Sequence, residues 1–541
     1  MPLEPTNGSL QEHAPLLWKW GPSAVLLRWP EGDSPERRDS VRSVLARLES
    51  DPPEDLSDWA GAFSTVILLF RDQAPPLERL NRWVGQTTRV SGFRNPPRTI
   101  RVPVRYDGED LDSVARASGL SVSEVVRRHQ ASAFEVRCLG FSPGFAYLSG
   151  LDPALRLPRR STPRTRVAPG SVAIGGDHAG IYPVPSPGGW NLLGSTPLRP
   201  FDPTAAREAD RFLFRAGDQV RFFEDPQATG PAFEPTPWVS PGPVWLRVVA
   251  AGGHLGVQDA GRPAWRRFGV PPGGWLDPQS ATAANHLLGN PGGLPVFEFA
   301  GGGQALEALV PVTLAVTGAD ARGEVLERSG ALRPVRPWST VRLDVGERLR
   351  FRGPVSGVWS HLALCGGVAF PLVLGSVAHN ARAGLGASPR AGDTVSGGSP
   401  SPHPAGSTGL RWMDPARLVG RHSGPIRVWP GPQATEFSAH ARRRFLEGPW
   451  SVDPRSDRVG YRLSGEPLEV PAGSMESEPV LPGSIQVPPD GRPIVTLPDG
   501  PTLGGYPKIG WVDPRDLWRL AQTAPGAGVR WEPVGWEELV P

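Results

Sequence analysis

Two glycine-rich stretches of the chain combine open backbone with an aromatic ring, which suits the binding of a polarised carbonyl or amide. One is PSPGGWNLLG, residues 185–194, and the other is GGYPKIG, residues 504–510. Glycine leaves backbone N–H groups open to a ligand, and the ring supplies an apolar wall. The candidate binding residues are Gly188, Gly189, Trp190, Gly504, Gly505 and Tyr506. Lys508 adds a charge that could donate to a carboxylate or phosphoryl oxygen.

A proline-rich loop contains several arginines. It reads LPRRSTPRTRVAPGS, residues 157–171, and holds Arg159, Arg160, Arg164 and Arg166. Guanidinium groups bind carboxylate and phosphate through paired donors, so the loop could hold an anionic small molecule. A solvated surface loop is the alternative, because exposed charges are common on proteins.

The stretch GFSPGFAYL, residues 140–148, places two glycines and a proline among three aromatic residues, Phe141, Phe145 and Tyr147. Glycine permits a positive φ and close approach of other groups, while proline prevents a regular helix. The pattern predicts a shaped loop that encloses either a hydrophobic core or a ligand.

Two turns bring acidic and basic residues together. GVQDAGR sets Asp259 three residues before Arg262, and SDRVGYRLSG places Asp457 beside Arg458. A structural ion pair is the alternative at both turns, because a carboxylate held near arginine keeps its charge and is a poor general base. The chain shows no Ser-His-Asp order, no His-x-x-x-His and no nucleophile elbow. Neither covalent serine hydrolysis nor a metal site is therefore predicted.

The composition favours a mainly β protein of several domains. The 541 residues exceed what one hydrophobic core usually supports, and the 66 glycines and 65 prolines are spread among short apolar runs. Lys+Arg of 57 against Asp+Glu of 54, without a long basic run, gives no indication of a nucleic-acid surface. Lys19 and Lys508 are the only lysines, and neither precedes Ser or Thr, so a P-loop and a biotin-accepting Met-Lys-Met are both absent.

The cysteines and the apolar runs indicate the compartment. Cys138 and Cys365 are too few and too far apart for a disulfide scaffold, and we expect two buried thiols. The first residues lack the pattern of a signal peptide, and the apolar run TVILLF is too short to span a membrane. We therefore expect a cytoplasmic protein without a membrane partner.

Changes of pattern along the chain predict five segments. Residues 1–95 combine strands with one helical face, formed by Val41, Val44, Leu45 and Leu48, which predicts a small α+β domain. Residues 96–225, 244–410 and 411–541 show short apolar runs separated by Gly and Pro, as in β-barrels. Residues 226–243 are rich in proline and are predicted to be a linker. Within residues 244–410, Asp277 before Pro278 predicts a helix N-cap.

An internal repeat connects the two halves of the chain. APGSVAIGG, residues 168–176, and LPGSIQVPPDG, residues 481–491, both carry a Pro-Gly-Ser turn into an apolar strand. In both, a Gly-Gly-aromatic triplet follows roughly twenty residues later. The repeat predicts two domains of the same fold.

The motifs together resemble a known family. GFSPGFAYLSGL, PRRSTPRTRVAPGSVAIGG and IYPVPSPGGWNLLGST resemble the B subunit of bacterial ATP-dependent 5-oxoprolinase, in a family that includes an inhibitor of a sporulation histidine kinase. VQDAGRPAWRRFGVPPGGW, LALCGGVAFP, SDRVGYRLSGEPL and VLPGSIQVPPDG resemble the C subunit, the partner of that inhibitor. The chain is thus similar to a fusion of the B and C subunits. It also resembles the carboxyltransferase part of urea carboxylase and allophanate-hydrolase-like proteins, without their biotin domains.

The resemblance implies a fold, an activity and a set of site residues. It implies cyclophilin-like β-barrels that act with a separate 5-oxoprolinase A subunit to open 5-oxoproline, a lactam, to L-glutamate, using ATP with magnesium at a site shared with that subunit. The catalytic candidates are then Lys508, Arg458 and Asp259. The substrate-binding candidates are Arg159, Arg164, Arg262, Phe141, Phe145 and Tyr147, with the two Gly-Gly-aromatic triplets. Homo-oligomerisation is left open.

Three departures from the family pattern leave alternatives open. Residues 501–506 read PTLGGY where Gln-Thr-Thr-Gly-Gly-Tyr is common, and residues 375–382 read GSVAHNAR where Gly-Ser-Arg-Ser-Thr-Asp-Leu-Arg is common. Ser195 stands where the family often has histidine or another basic residue. One alternative is a non-catalytic regulator that binds a histidine kinase or another partner. Another is a biotin-dependent carboxyltransferase for urea or an amide, with the biotin carrier on a separate chain.

Overall fold

The computed structural model describes residues 14–30, 32, 34–87, 98–207, 210–234, 236–399, 401–403, 411–414, 424–473, 475–537 and 539. The predicted domain boundary between residues 95 and 96 lies outside the described residues. At the predicted boundary between residues 410 and 411, residue 410 also lies outside them. None of the helices in these ranges is long and apolar enough to cross a membrane.

The N-terminal region is a four-stranded antiparallel sheet with two helices on one face. Its strands are β1 (Leu16–Trp20), β2 (Ala24–Arg28), β3 (Leu56–Gly61) and β4 (Thr65–Phe70), in the order β1-β2-β4-β3. The helices are α1 (Pro35–Ser50) and α2 (Leu77–Thr87). Helix α1 begins at Ser34, whose hydroxyl accepts a hydrogen bond from Arg37 N. The predicted face of Val41, Val44, Leu45 and Leu48 is buried against the sheet.

The second region is a seven-stranded sheet that closes on itself. Its strands are β5 (Thr99–Val104), β6 (Phe134–Leu139), β7 (Ala146–Ser149), β9 (Ser171–Gly175), β10 (His178–Ile181), β12 (Asn191–Ser195) and β13 (Gln219–Glu224), in the order β12-β9-β10-β7-β6-β13-β5. Arg105 and Ser195 exchange two backbone hydrogen bonds of 2.9 Å and so join the outer strands. Helices α3 (Leu111–Ser118) and α4 (Val122–Ala131) flank Gly119, as predicted. Strands β8 (Arg164–Val167) and β11 (Ser186–Gly188) pair separately.

The third region contains two sheets around one core. The first has the order β20-β19-β22-β17-β14-β24 and the second the order β15-β16-β23-β18-β21. The strands are β14 (Val244–Ala251), β15 (His254–Gln258), β16 (Val296–Ala300), β17 (Gln304–Ala308), β18 (Val312–Asp320), β19 (Gly323–Leu326), β20 (Leu332–Pro334), β21 (Ser339–Leu343), β22 (Arg348–Phe351), β23 (Ser356–Ala363) and β24 (Thr394–Ser396). Helix α5 (Pro278–Leu287) begins at Asp277, whose side chain accepts from Ser280 N, so the predicted cap is confirmed.

The fourth region is an eight-stranded sheet with the order β33-β26-β27-β30-β29-β32-β25-β34. Its strands are β25 (Ile426–Pro430), β26 (Trp450–Val452), β27 (Gly460–Ser464), β29 (Ser484–Gln486), β30 (Ile494–Thr496), β32 (Lys508–Val512), β33 (Gly528–Val529) and β34 (Trp531–Pro533). Strands β28 (Glu478–Pro479) and β31 (Leu503–Gly504) pair separately, and the helices are α6 (Ala439–Glu447) and α7 (Leu517–Ala521).

The second and fourth regions repeat one arrangement of five consecutive strands. Strand β9 pairs with β10 and β12, and β29 pairs in the same way with β30 and β32. The separate pair of β8 with β11 corresponds to the pair of β28 with β31. Gly170 and Gly483, which precede β9 and β29, have φ of 77° and 92°, a backbone region that favours glycine. The predicted internal repeat and the mainly β fold are both confirmed.

The proline-rich segment of residues 226–243 contains neither helix nor strand in its described part, but it is packed against the rest of the chain. Trp238 Nε1 donates to Thr394 O at 2.7 Å, and its ring lies 5.0 Å from that of Phe370. Phe233 lies near Gly384, where an added Cβ would be 3.3 Å from its ring. The segment therefore follows the surface between the two halves of the chain.

Candidate functional site

A cavity of about 330 Å³ lies where the second region meets the third. Arg166, Val184 and Pro185 line it from the second region, Phe233 from the proline-rich segment, and Ala381 and Arg382 from the third region. Because the walls come from both halves of the chain, neither half forms the cavity without the other.

Two arginines give the cavity its charge. Arg166 and Arg382 line it from opposite halves, and neither forms a hydrogen bond or ion pair with another described residue through its side chain. Both side chains are exposed at the cavity. Partial desolvation by surrounding atoms and the nearby Arg462 guanidinium lower the pKa of Arg382, while Asp457 opposes that shift. A guanidinium without a protein partner is a ready donor to an anion, so the cavity is suited to a small carboxylate or phosphate.

A smaller chamber of about 10 Å³ shares Arg382 with the cavity. Its polar lining consists of Ser142 and Ser186 from the second region, Asn380 from the third and Asp499 from the fourth. Ser142 Oγ, Ser186 Oγ and Asn380 Nδ2 are buried and have no hydrogen-bond partner among the described residues. Buried polar groups in folded proteins are rarely left without a partner, so a cluster of three indicates a ligand or an ordered water.

The local backbone orients two of these groups. Asn380 Oδ1 accepts a hydrogen bond from Ala383 N at 3.0 Å, which fixes the amide and leaves Nδ2 free. Phe141, just before Ser142, has φ of 68°, an unfavourable conformation for a bulky residue. The bond of 3.0 Å from Phe145 N to Ser142 O closes this turn. Strained backbone of this kind is common at functional sites.

Arg458 holds the acidic wall of the chamber from behind. Its guanidinium contacts Asp499 through two hydrogen bonds of 2.8 and 3.2 Å, and it also contacts Glu298 and donates to Gly274 O at 2.7 Å. Burial would lower the pKa of Arg458, but the two carboxylates raise it above its ordinary value. Burial raises the pKa of Asp499, and the attraction of Arg458 does not cancel this effect. Arg458 therefore positions Asp499 and does not itself line the cavity.

Asp259 and Arg262 shape the loop that carries Asn380 and Arg382. Asp259 accepts hydrogen bonds from Ser376 Oγ at 2.5 Å, Val377 N at 2.9 Å and Gly261 N at 2.8 Å. Arg262 donates to Ala378 O at 2.5 Å, and burial lowers its pKa to about 10 against the attraction of Asp259 and Asp499. Neither residue lines the cavity or the chamber, so both support the site from behind. Arg262 Nη1 is nevertheless buried without a hydrogen-bond partner among the described residues.

Lys508 lies in a separate buried cluster. Its Nζ is 2.9 Å from Glu478 Oε2, which also accepts from Gln433 Nε2 at 2.8 Å, and Arg28 of strand β2 is 2.8 Å from Glu478 Oε1. Burial lowers the pKa of Lys508, although Glu478 opposes the shift. The predicted partner of Lys508 was a carboxylate or phosphoryl oxygen of a ligand, and the structure supplies a carboxylate of the protein.

Three predicted wall residues form a packed aromatic core beside the chamber. The rings of Phe145, Tyr147 and Trp190 are mutually separated by 5.1 to 5.8 Å, and all three are buried. Phe141 lines the chamber. Of the two outcomes predicted for this loop, a core and a ligand pocket, the structure therefore shows both side by side.

The remaining predicted binding residues lie outside the cavity. Arg164 contacts Asp110 at 2.9 Å, Arg159 is exposed 5.8 Å from the centre of the Trp190 ring, and Tyr506 is exposed. A Cβ at Gly188 would overlap the Tyr182 hydroxyl, and one at Gly504 would overlap Gln486 Oε1. Gly189 and Gly505 follow these two glycines in the same turns. Close packing thus explains why glycine occupies positions 188 and 504, where a side chain has no room.

Sequence reasoning named Arg166 and Phe141, which line the cavity and the chamber, but missed the short polar residues of the same segments. Ser142, Ser186, Asn380 and Asp499 each lie in or beside a motif named above. Charged and aromatic residues were predicted because their side chains have well-defined binding chemistry. The signal that could have identified the true lining was a short polar residue inside a glycine- and proline-rich turn.

Comparison with known proteins matches two parts of the chain to one kind of domain. Residues 16–210 match the family described as carboxyltransferase domain, subdomain C and D, and residues 268–533 match carboxyltransferase domain, subdomain A and B. The C subunit of the 5-oxoprolinase of Escherichia coli (strain K12) is 31% identical over 302 residues, which cover 54% of this chain and 93% of that protein. The B subunit of the 5-oxoprolinase of Escherichia coli O157:H7 is 45% identical over 192 residues, covering 34% of this chain and 84% of that protein.

The chain belongs to the family of the 5-oxoprolinase B and C subunits. A crystal structure of TTHA0988 is 37% identical and superposes with a TM-score of 0.81, covering 94% of this chain and 99% of that one. The predicted resemblance to a fusion of the B and C subunits, with mainly β cyclophilin-like domains, is confirmed. We call the residues before the proline-rich segment the B half and those after it the C half. In such a fusion, the cavity at the junction of the halves corresponds to the contact between the two subunits.

Proposed function

We propose that this protein is the B–C component of an ATP-dependent 5-oxoprolinase, which opens 5-oxoproline to L-glutamate together with a separate A subunit. The observation that carries the proposal is the cavity between the B and C halves, with Arg166 and Arg382 free on opposite walls. A substrate of this class carries one carboxylate and one ring amide. The cavity supplies cations for the carboxylate, and the adjoining chamber, which shares Arg382 with it, places polar groups beside the space that the ring amide would occupy.

The ring amide is the difficult part of the reaction, because resonance makes its carbonyl carbon a poor electrophile. ATP would supply a phosphoryl group to the amide oxygen and so create a better leaving group. Arg166 and Arg382 would hold the carboxylate and direct the ring toward the chamber. Asn380 Nδ2 and the hydroxyls of Ser142 and Ser186 would then face the reacting end of the molecule.

The ATP site is proposed to be shared with the A subunit. Magnesium bound to a nucleotide usually needs one or two protein carboxylates. Asp499, the carboxylate in the chamber lining, has both oxygens bonded to Arg458. Among the described residues there is no group of three or more His, Cys, Asp and Glu side chains placed to hold a metal ion. The A subunit is therefore the proposed source of the magnesium ligands.

The test is glutamate release from 5-oxoproline and ATP by this chain mixed with the 5-oxoprolinase A subunit from the same organism, compared with each alone. Activity only in the mixture is the expected result. Arg166→Ala and Arg382→Ala should raise KM for 5-oxoproline about 10- to 100-fold, because each removes a charged hydrogen bond. Arg156→Ala is the matched control, since Arg156 is an exposed arginine near the same loop and does not line the cavity. Its KM should not change.

A mixture without turnover, in which the same A subunit is active with an intact pair of separate B and C subunits, would reject the proposal. That result would instead favour a regulator that binds a histidine kinase or another partner.

A further inference from the structure

The chamber beside the cavity has the size of one water molecule. Its volume is about 10 Å³, and a cavity must hold about one water-sized sphere before water can enter. The substrate class proposed above is several times larger than this and fits only the outer cavity of about 330 Å³. The chamber must therefore hold something other than the substrate ring.

The lining of the chamber matches the needs of water. A buried water makes about three hydrogen bonds, and a site for it needs two to four polar partners. Ser142 Oγ, Ser186 Oγ and Asn380 Nδ2 have no partner among the described residues, and Asp499 adds an acceptor. Hydroxyls can donate or accept, the amide nitrogen donates and the carboxylate accepts. One water can satisfy these groups, which come from both halves of the chain.

We propose that the chamber holds one ordered water between the B and C halves, and that this water is the nucleophile that opens the substrate ring. The second part of the proposal rests on the 5-oxoprolinase function proposed above. Ser142, Ser186 and Asn380 are positioning residues, and Asp499 is the proton acceptor. The shared wall at Arg382 places the water beside the substrate, whose carboxylate the same arginine holds.

The reaction step balances with ATP as the phosphoryl donor. Transfer of the γ-phosphoryl group of ATP to the ring oxygen releases ADP, and the ring N–H proton passes to solvent, which leaves a C=N bond. The water oxygen bonds to the ring carbon while one proton passes to Asp499 and then to the ring nitrogen. As the carbonyl forms, the second proton moves to the same nitrogen, and the C–N bond breaks with its electron pair on nitrogen. The product is an acyl phosphate, which a second water hydrolyses to glutamate and phosphate.

The surroundings of Asp499 fit this role. A carboxylate paired with arginine usually keeps its charge, but at Asp499 burial outweighs the attraction of Arg458 and raises the pKa. The carboxylate therefore accepts a proton more readily than an exposed aspartate. The two bonds from Arg458 fix its orientation. The strained turn at Phe141 and the bond from Ala383 N to Asn380 Oδ1 fix two further walls of the chamber.

The first experiment needs only this chain, without substrate or partner protein. A high-resolution crystal structure of the full chain should show one fully occupied water with at least three hydrogen bonds to Ser142, Ser186, Asn380 and Asp499. The Ser142→Ala/Ser186→Ala double variant should show reduced occupancy at the same position. A chamber that is empty, or filled by a rotated side chain, would overturn the proposal irrespective of the enzyme activity.

The second experiment tests the nucleophile. In the mixture with the A subunit, Ser142→Ala and Ser186→Ala should each lower kcat about 100-fold with KM for 5-oxoproline unchanged, because a misplaced reactant affects the chemical step. Ser118→Ala is the control, since it removes a hydroxyl of helix α3 that donates to Val114 O and does not line the chamber. A wild-type kcat in both serine variants would overturn the assignment of this water as the nucleophile. Absence of turnover in the wild type would instead reject the proposed function, which is a distinguishable result.

Discussion

Arg458 is a buried cation that contacts two buried carboxylates at once. Asp499 and Glu298 both face its guanidinium, and Glu298 also accepts from Leu276 N at 2.8 Å and contacts His361 at 3.1 Å. Burial alone would raise the pKa of Glu298, but Arg458 and His361 bring it below its ordinary value. At the scale of single residues, Arg458 is therefore the cation that compensates the buried charges of Glu298 and Asp499.

Arg458→Met should destabilise the protein by about 3–5 kcal/mol, because it leaves two buried carboxylates without their cation. Urea unfolding followed by tryptophan fluorescence measures the change. Arg455→Ala is the control: Arg455 pairs with Asp453 at 2.8 Å but is 71% exposed, and the loss should stay below about 1 kcal/mol. Stability equal to the wild type in Arg458→Met would contradict the structural role and restore Arg458 as a purely catalytic candidate.

At the scale of elements, the short strand β28 connects three sheets. It pairs with β31, and its Glu478 contacts Arg28 on β2 and Lys508 on β32. Burial would raise the pKa of Glu478, but the Lys508 ammonium and the Arg28 guanidinium lower it below the ordinary value of 4.5. The ion pairs of one residue therefore link the N-terminal sheet to the C half.

Glu478→Gln should lower the free energy of unfolding by about 3–5 kcal/mol at pH 7, since Lys508 is then buried without a counter-charge. A carboxylate with a depressed folded-state pKa stabilises the protein above its unfolded pKa, and this contribution disappears as the pH falls through the folded value. The difference between wild type and variant should therefore shrink as the pH falls below 4.5. Urea unfolding from pH 7 to about pH 3 measures it, and a difference independent of pH would contradict the assignment.

The turn between β1 and β2 packs directly on the C half. Gly21 has φ of 65°, and a Cβ there would lie 2.5 Å from Cζ3 of Trp511, which is buried. Gly119 has φ of 68° but no atom within 4 Å of such a Cβ. Gly119→Ala should therefore lower the free energy of unfolding only by the backbone strain, about 1–2 kcal/mol.

Gly21→Ala should lower the free energy of unfolding by about 1–3 kcal/mol more than Gly119→Ala does, which is the usual penalty for overpacking. Thermal unfolding of the two variants beside the wild type provides the measurement. Equal losses in both would show that Trp511 moves aside freely and that the turn is not tightly docked.

At the scale of the whole molecule, the B and C halves share hydrophobic cores. Trp20, Leu26 and Ile67 of the N-terminal sheet pack with Leu481 and Trp511. On the other side of the junction, the rings of Phe212 and Phe268 stack with centres 4.2 Å apart. A buried ion pair of 3.4 Å joins Asp58 to Arg266. The peptide connection is therefore one of many contacts between the halves.

A protease site placed at the exposed residues 241–243 should yield two fragments that remain associated after cleavage. The cut leaves Phe233 and Trp238 on the first fragment, where they still pack against the C half. Size-exclusion chromatography of the cleaved protein at micromolar concentration should show one peak with both fragments. Two separate peaks would contradict a shared core and would indicate that the linker holds the halves together.

The sequence by itself determined the mainly β class, the cap at Asp277, the helices around Gly119 and the repeat of the Pro-Gly-Ser turns. These features depend on local patterns, in which neighbouring residues interact with each other. The same local patterns identified the segments that surround the site.

Only the tertiary structure decided which residues of those segments form the cavity. Lys508 and Glu478 lie 30 residues apart in the chain, and Arg28 and Glu478 lie 450 apart, so no local pattern reveals that they neutralise each other. Asp259 and Arg458 are likewise occupied by partners from distant segments, and Arg262 donates through Nε and Nη2 to Val373 O and Ala378 O. Arg166 and Arg382 remain free because the fold places no carboxylate within ion-pair distance of them in the part of the chain described. Whether a charged residue can bind a ligand depends on whether another residue already pairs with it, and the tertiary structure decides that pairing.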